Sequence, residues 1–298
     1  MTDREISGVL PVNKPAGMTS HDVVYKIRKL YGTKKVGHTG TLDPDARGLL
    51  IILIGRAAKA AEFVVAGKKF YRAGLRLGIT TDTEDTSGTV LTECENIPDK
   101  SALLAAVEKF KGDIMQIPPM YSALKVNGQK LCDLARKGIT VEREPRPVTI
   151  YSLEADGGGC DYTLDVCCSA GTYIRTLCAD IGAELGCGGA MSSLFRTQTG
   201  GFDISQAHTL DELAEMSQEE RDTLLIPTES LFSELPKVTL PSFYERLAKN
   251  GAEIYQKKIG THFPVGTLVR VHGKDGFFGI AKAEDYENGS AIKIIKFL

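Results

Sequence analysis

The chain has 298 residues, of which 42% are hydrophobic and 25% are charged, and its formal net charge at pH 7 is −2. This composition is typical of a folded globular protein and excludes collagen-like, coiled-coil and disordered chains. The longest aliphatic run, residues 49–54, is far shorter than the roughly 18 apolar residues of a membrane span, so we expect neither an integral membrane protein nor a membrane partner.

The first quarter of the chain is basic, with 14 Lys or Arg residues against 6 Asp or Glu residues over positions 1–80. Such an excess favours a polyanion-binding face, with nucleic acid as the candidate ligand, although an ordinary solvated surface can show the same bias. Within this quarter, Ser20 is predicted to cap a helix whose apolar side chains share one face. The other face of this helix carries Lys26, Arg28 and Lys29.

A glycine-punctuated loop follows over residues 32–48, and alternating apolar and polar residues over 71–77 predict a half-buried strand with a basic outer face. The remaining pattern predicts strands near 49–54, 147–155 and 161–168, and helices near 57–65, 103–110 and 174–185. Isolated helices interrupt these strands without a regular βαβ alternation. We therefore expect an α+β fold with a largely antiparallel mixed sheet flanked by helices.

The charge balance changes near Pro236. Residues 203–236 contain nine acidic side chains and one basic one, whereas residues 237–298 contain ten basic and six acidic side chains. Short strand-like runs in the last segment predict a small β-rich module. We expect a large domain over residues 1–235 and a small domain over residues 237–298.

Cysteine usage indicates a cellular compartment. The chain has seven cysteines, an odd number, without a CxxC pair, and no basic and apolar leader opens it. Reduced thiols and a cytoplasmic location are the expectation.

The loop that ends at Gly48 holds the densest cluster of unusual residues, with the sequence GHTGTLDPDARG over positions 37–48. Gly37, Gly40 and Gly48 permit backbone angles closed to other residues, and a proline follows Asp43, so this carboxylate is expected on a rigid loop. Rigid loops commonly carry catalytic groups. The spacing matches neither a phosphate-binding loop nor a metal site, and a plain tight turn around Asp43 explains it equally well.

Three other segments allow both a functional and an ordinary interpretation. Residues 13–20 can be a turn before a helix, and residues 118–125 can be a loop packed on the core. Residues 171–175 place Arg175 at the mouth of a helix, where it could bind a carboxylate through two hydrogen bonds, although a surface arginine is more common.

Together these segments resemble one family, the TruB pseudouridine synthases, which isomerise the T-arm uridine at position 55 of tRNA. The GHTGTLDP motif is specific to this kind of enzyme, and several motifs in the family's order are not expected by chance. The resemblance runs through almost the whole chain and is carried by residues 14–21 (KPAGMTSH), 37–48, 69–78, 117–128 (IPPMYSALKVNG), 171–182 (GTYIRTLCADIG) and 194–202.

The resemblance implies a role for each matched pocket residue. Asp43 matches the catalytic aspartate, which acts on the ribose of the target uridine and helps to release its N1 bond. Tyr71 matches the tyrosine that stacks on the extruded base. Tyr173 and Arg175 match a pair in which the arginine forms an ion pair with the aspartate, and Leu194 matches an apolar wall of the pocket.

The resemblance also implies residues outside the pocket and a set of partners. His38 matches the histidine that contacts the T-loop, and Lys14 with Pro15 matches a support strand, so His38 and Lys14 are included among the substrate-binding residues. Phe195 stands where a polar or basic residue is more common, and we expect no RNA contact from it. The T-arm of tRNA is the implied partner, with no cofactor, no metal, no obligatory protein partner and a monomeric state. Residues 237–298 resemble, more weakly, a PUA domain, which is a small RNA-binding barrel.

Three alternatives stay open. A guide-RNA-dependent relative shares the catalytic motifs but needs partner proteins, and the KPAGMTSH opening favours the stand-alone enzyme. An RNA-binding or chaperone protein with an inactive pocket is disfavoured by the intact Asp43, Tyr71 and Arg175. A metal-free hydrolase that uses Asp43 with Asp45 ranks last, because neighbouring loop positions rarely converge on one substrate.

Overall fold

The computed structural model describes residues 6–64, 67–126 and 128–298. Its strands in chain order are β1 (Gly8–Lys14), β2 (Val36–Thr39), β3 (Arg47–Ile54), β4 (Lys69–Leu77), β5 (Ile79–Thr81), β6 (Val90–Glu93), β7 (Gly112–Gln116), β8 (Lys125–Val126), β9 (Gln129–Lys130), β10 (Arg146–Gly158), β11 (Asp161–Cys168), β12 (Gly189–Thr199), β13 (Phe202–Asp203), β14 (His208–Thr209), β15 (Lys237–Thr239), β16 (Ile254–Tyr255), β17 (Leu268–Gly273), β18 (Gly276–Tyr286) and β19 (Gly289–Phe297). Its α-helices are α1 (Ser20–Tyr31), α2 (Ala61–Val64), α3 (Lys100–Lys109), α4 (Leu131–Ala135), α5 (Ile174–Glu184), α6 (Leu210–Glu215), α7 (Gln218–Thr223), α8 (Ser242–Lys249) and α9 (Gln256–Ile259). Short 3-10 helices cover Gly55–Ala60, Ile204–Gln206 and Thr228–Phe232.

A ten-stranded sheet has the strand order β14-β1-β3-β12-β4-β11-β10-β7, with β2 beside β3 and β13 beside β12, while β5 with β6 and β8 with β9 form two separate two-stranded sheets. The β1–β14 and β3–β12 pairs are parallel, and the other neighbours are antiparallel. Helices α1 and α6 bury apolar side chains against β1 and β3, while α3 and α5 pack against the β4, β10 and β11 part of the sheet. The predicted mixed, largely antiparallel sheet flanked by helices is confirmed.

The start of α1 differs from the prediction. Thr19, not Ser20, is the cap: its hydroxyl accepts a hydrogen bond from the Asp22 N–H at 3.1 Å, and the Asp22 carboxylate accepts one from the Thr19 N–H at 2.9 Å. Ser20 is instead the first helical residue, and its hydroxyl bonds both the N–H and the carbonyl of Leu42 at 2.9 and 3.0 Å. The Ser20 side chain therefore does not cap the helix but binds the main chain of a loop that is distant in sequence.

Strand β4 forms as predicted, but its outer face is not a free basic surface. Arg72 lies 2.8 Å from Asp165, and Arg76 lies 2.7 Å from Asp161, both on the neighbouring strand β11. These cross-strand pairs neutralise the two arginines. A single strand's sequence cannot show which residues stand opposite it.

The last part of the chain forms a five-stranded sheet in the order β15-β17-β18-β19-β16, which confirms the predicted β-rich segment. Among the described residues the edge strands β15 and β16 do not pair with each other, so the sheet is open. Buried Phe232 and Ile280 share an apolar cluster with Ala60, and Lys296 lies 2.6 Å from Glu62. These contacts join the smaller sheet to the rest of the chain. None of the helices in the described ranges is long and apolar enough to span a membrane.

Candidate active site

The loop between β2 and β3 carries Asp43 and is held from within the protein by Lys14, the last residue of β1. The Lys14 side chain has no exposed surface, and its Nζ donates hydrogen bonds to the carbonyl oxygens of Pro15, Pro44 and Ala46 at 2.9, 2.9 and 2.7 Å. An ammonium group has three donors, so these carbonyls use all of them. Burial lowers the pKa of Lys14 to about 8.

The resemblance included Lys14 among the substrate-binding residues, and the structure places its side chain beneath the Asp43 loop rather than on the pocket wall. A side chain with no exposed surface and no remaining donor cannot contact RNA without breaking the loop that it supports. The positional part of the resemblance, a support beside the pocket, agrees with the contacts. Lys14 is a positioning residue for the Asp43 loop.

The close approach of the β3 and β12 backbones also constrains this loop. Gly48 has φ +103, and a Cβ there would lie 2.3 Å from the Arg196 carbonyl oxygen, so glycine allows β3 to approach β12. Gly40 likewise has φ +67. Gly37, by contrast, lies within β2 and is not among the glycines with a positive φ, so the predicted need for glycine there is wrong.

Arg175, near the start of α5, lies beside Asp43 and is fixed from several directions. Its Nε is 3.1 Å from Asp43 Oδ2, its Nη1 donates to the Thr83 carbonyl at 3.2 Å, and its Nη2 donates to the Tyr121 carbonyl at 2.8 Å. Asp85 Oδ2 stands 3.9 Å from Nη1. The arginine is therefore a rigid ionic partner rather than a mobile surface cation.

The Asp43 carboxylate is subject to two opposing effects. Burial raises its pKa above the ordinary value, and the Arg175 guanidinium opposes that shift by favouring the charged form. Because the Asp43–Arg175 ion pair is in place without RNA, we expect Asp43 to be a charged carboxylate at neutral pH. Asp45, the second carboxylate of the hydrolase alternative, is exposed. It does not line the small pocket that Asp43 lines together with Tyr71 and Leu194.

Asp43 opens onto a pocket of about 260 Å³. Tyr71 on β4 and Leu194 on β12 line it from two adjacent strands, and Tyr173 lines it from the start of α5. Burial raises the pKa values of both tyrosines, so they are neutral phenols at pH 7. Pockets that bind drug-sized ligands have volumes of about 300 to 1,000 Å³. This smaller pocket, with its aromatic and aliphatic walls, suits one nucleobase.

The main chain of Tyr173 is held by Gln116, the last residue of β7, which is 2% exposed. The Tyr173 N–H donates to Gln116 Oε1 at 2.8 Å, and Gln116 Nε2 donates to the Tyr173 carbonyl at 3.0 Å. This double hydrogen bond sets the position from which α5 begins. Tyr173 and Arg175 are thereby placed together on one side of the pocket.

A groove of about 840 Å³ adjoins the pocket, and Leu42, Asp43 and Leu194 line both. His38 lines this groove and not the smaller pocket. Burial lowers the pKa of His38, and its Nδ1 has no hydrogen-bond partner among the described residues. The structure thus brings five of the predicted residues to the pocket and places His38 beside its entrance, while Lys14 lies beneath the loop. The five are Asp43, Tyr71, Tyr173, Arg175 and Leu194.

Comparison with known proteins decides the family. A model described as "TruB family pseudouridylate synthase (N terminal domain)" matches residues 28–174, and one described as "tRNA pseudouridylate synthase B C-terminal domain" matches residues 175–233. The tRNA pseudouridine synthase B of Alkaliphilus oremlandii is 45% identical and covers 98% of this chain and 99% of its own. That of Halalkalibacterium halodurans is 43% identical and covers 92% and 96%.

The chain belongs to the TruB family. This confirms the resemblance inferred from the motifs. The fold of this TruB chain also matches solved structures. One titled as a Cbf5-Nop10-Gar1 complex has a TM-score of 0.74 and 27% identity over 97% of this chain and 84% of that one. Another, an H/ACA RNP bound to a substrate RNA containing 2'-deoxyuridine, has a TM-score of 0.72 and 25% identity over 97% and 84%.

The site of this TruB chain includes residues that the sequence did not reveal. Arg196 is fully buried, donates to the carbonyls of Leu49 and Gly40 at 2.8 Å each, and lies close to Tyr71. The one signal in the sequence is its position on β12, two residues after Leu194 and hence on the same strand face. The other missed residues are Lys69, Asp85 and Gln116.

Proposed function

We propose that this chain isomerises uridine to pseudouridine in tRNA, at position 55 of the T-arm. One observation carries the proposal: Asp43, paired with the buried Arg175, opens onto a base-sized pocket between Tyr71 and Leu194 in a chain of the TruB family. The relatives that match nearly the whole chain bear the name tRNA pseudouridine synthase B.

The target base must first leave the RNA helix, because an enzyme cannot reach the glycosidic bond of a stacked base. Extrusion costs a few kcal/mol, which contacts in the pocket must offset. In our proposal the ring of Tyr71 stacks on the base and Leu194 covers it. His38 contacts the T-loop strand from the adjoining groove.

Asp43 then acts on the ribose, either by bonding to the sugar carbon C1′ or by removing a sugar proton. The N1–C1′ bond breaks, the uracil ring turns, and C5 bonds to C1′ while the C5 hydrogen leaves to solvent. Substrate and product have the same atoms and oxidation state. The atom balance therefore requires no redox cofactor, metal or nucleotide.

We also propose a division of labour along the chain, with a catalytic domain over residues 1–235 and a PUA-like RNA-binding domain over residues 237–298. The proposed pocket residues all lie before residue 200, and the five-stranded sheet supports a separate β-rich unit. Deleting residues 237–298 should weaken tRNA binding and spare some turnover. Because Phe232 packs against this sheet, folding of the fragment must be verified first. Complete loss of activity in a folded fragment would contradict the division.

We propose that the protein acts alone, as a cytoplasmic monomer without an obligatory partner. One observation favours the guide-RNA-dependent alternative, since the Cbf5-Nop10-Gar1 complex shares the fold at a TM-score of 0.74. Incubating the purified chain with an unmodified T-arm hairpin and mapping pseudouridine distinguishes the two. Modification at the single target uridine supports the proposal. Modification only after a guide RNA and partner proteins are added supports the alternative.

A further inference from the structure

Lys69 lies in the pocket as a cation. The proposed chemistry of Asp43 does not use this side chain. It is the first residue of β4, two positions before Tyr71, so the two side chains leave the same face of the sheet. The half-buried Lys69 lines the same 260 Å³ pocket as Asp43 and Leu194. Its Nζ reaches the Asp43 loop, 3.5 Å from where a Cβ on Gly40 would stand.

No group in residues 6–64, 67–126 and 128–298 neutralises this ammonium by a hydrogen bond or an ion pair. The groups that face it are Arg196 from β12, which is also a cation, and Cys168 from β11. Burial raises the pKa of the Cys168 thiol to about 11, so no thiolate balances the charge at pH 7. Burial also lowers the pKa of Lys69, with Arg196 adding to the shift. A cation in this position is costly unless a ligand brings negative charge.

The arrangement of the pocket indicates which ligand atom would meet Lys69. Asp43 is already paired with Arg175, and Lys69 lies beyond ion-pair distance of it, so the two charges occupy different parts of the wall. In the proposed function the ribose lies at Asp43 and the base lies between Tyr71 and Leu194, which line the same pocket. The edge of the base then faces the remaining polar wall, and the edge of uracil carries two carbonyl oxygens, O2 and O4.

We propose that Lys69 binds a carbonyl oxygen of the target uracil and carries the counter-charge of the base when it detaches. This inference rests on the proposed function. When the N1–C1′ bond breaks, its electron pair stays with N1, and the negative charge spreads over N1, O2 and O4. On the sugar side, either C1′ forms a bond to the Asp43 carboxylate or the sugar loses a proton to that carboxylate. Lys69 needs no proton transfer for this role, because a fixed cation beside the developing charge lowers the barrier.

The test compares Lys69→Met with Lys68→Met under single-turnover conditions on a T-arm hairpin. Lys68 is a matched control, because it is the adjacent residue, is exposed, and lies over the Tyr151 ring at 4.4 Å. We expect Lys69→Met to slow the reaction by about 100-fold with little loss of hairpin affinity. Lys68→Met should stay within about 3-fold of the wild type, as expected for a surface change. If thermal unfolding shows that Lys69→Met is not folded, Lys69→Gln replaces it.

Altered substrates identify the contacted atom. Hairpins with 2-thiouridine or 4-thiouridine at the target replace one carbonyl oxygen by sulfur, a weaker acceptor, and a methylphosphonate beside the target removes a phosphate charge. The loss caused by Lys69→Met should shrink at least 10-fold on one of the thio substrates and persist on the methylphosphonate.

Turnover by Lys69→Met within 3-fold of the wild type overturns the inference. So does a loss that is equal on both thio substrates and disappears on the methylphosphonate, which would identify a phosphate contact. Wild-type turnover on the plain hairpin tests the proposed function separately. Its absence would overturn that function and this inference with it.

Discussion

Arg175 Nε lies 3.1 Å from Asp43 Oδ2, yet the arginine side chain is 6% exposed and the aspartate side chain is 45% exposed. The arginine is held on its other side by the carbonyls of Thr83 and Tyr121. A fixed cation therefore orients a carboxylate whose remaining surface faces the pocket. When RNA excludes water from this pocket, an unpaired carboxylate would be costly, and the pair removes much of that cost.

Replacing Asp43 by Asn should abolish turnover and leave the fold and tRNA binding almost intact, because the side chain keeps its shape and loses only its charge. We expect a fall of about 1,000-fold or more in the single-turnover rate. Binding of the same hairpin, measured in the same samples, shows that misfolding is not the cause. Turnover within tenfold of the wild type would remove Asp43 from the mechanism.

Replacing Arg175 by Gln should shift the acid limb of the pH–rate profile to higher pH. The guanidinium lowers the pKa of Asp43 against the effect of burial, so its removal leaves the carboxyl protonated at a higher pH. At pH 7 we expect a loss of about 100-fold. Arg136→Gln is the control, since Arg136 lines the outer groove but does not contact Asp43. An unchanged acid limb would show that the ion pair does not set the ionisation of Asp43.

Replacing Lys14 by Met should destabilise the protein by on the order of 2 to 4 kcal/mol at pH 7, because the carbonyls of Pro15, Pro44 and Ala46 lose their donor. Denaturant unfolding measures this free energy. The folded pKa of Lys14 is about 8 and lies below the ordinary value of 10.5, so the unfolded chain binds this proton more tightly. The Lys14 contribution to stability should therefore rise from pH 8 to about pH 10.5.

The comparison between wild type and Lys14→Met isolates this effect from other groups that titrate at alkaline pH. The stability difference between the two proteins should be nearly constant below pH 8 and should grow above it. Lys26→Met, which changes an exposed lysine on α1, serves as the control and should stay within about 0.5 kcal/mol of the wild type. A Lys14→Met protein of wild-type stability would show that the three hydrogen bonds do not support the loop.

Helix α1 offers a test of where RNA binds. Lys26 and Lys29 are exposed, whereas Arg28 donates to the Val36 carbonyl at 3.2 Å and is partly structural. Replacing the two lysines by Ala should reduce the salt dependence of tRNA affinity by about 0.7 to 0.9 in log–log slope for each phosphate that the variant no longer neutralises. A charge-matched control replaces Lys109 and Lys111. An unchanged slope in the α1 variant would place the RNA on another surface.

Local pattern and motif predicted much of this fold and site. The alternation in β4, the apolar stripe of α5 and the Asp43 loop all appear where the sequence placed them, because each depends on residues close in the chain. The pairing of Asp43 with Arg175 came from the resemblance, since 132 positions separate these residues and no periodicity links them.

The features that the sequence did not predict depend on which distant residues come together. The arginines of β4 look like a basic surface until β11 places Asp161 and Asp165 opposite them. Lys14 and Arg196 are charged residues with no exposed surface, and sequence alone cannot distinguish a buried cation that has carbonyl partners from a solvated one. Gly37 belongs to a glycine-rich motif that is typical of a special turn, but it lies in an ordinary strand.

We claim that this chain exchanges the N1 attachment of uracil for a C5 attachment, and this exchange must release the hydrogen of C5. T-arm RNA labelled with tritium at C5 of uridine is incubated with the protein, with a chelator present and without added cofactor or guide RNA. We predict stoichiometric release of label from one uridine, with no free uracil and no abasic site. Label that stays in the RNA while folded protein demonstrably binds the hairpin would contradict the claim.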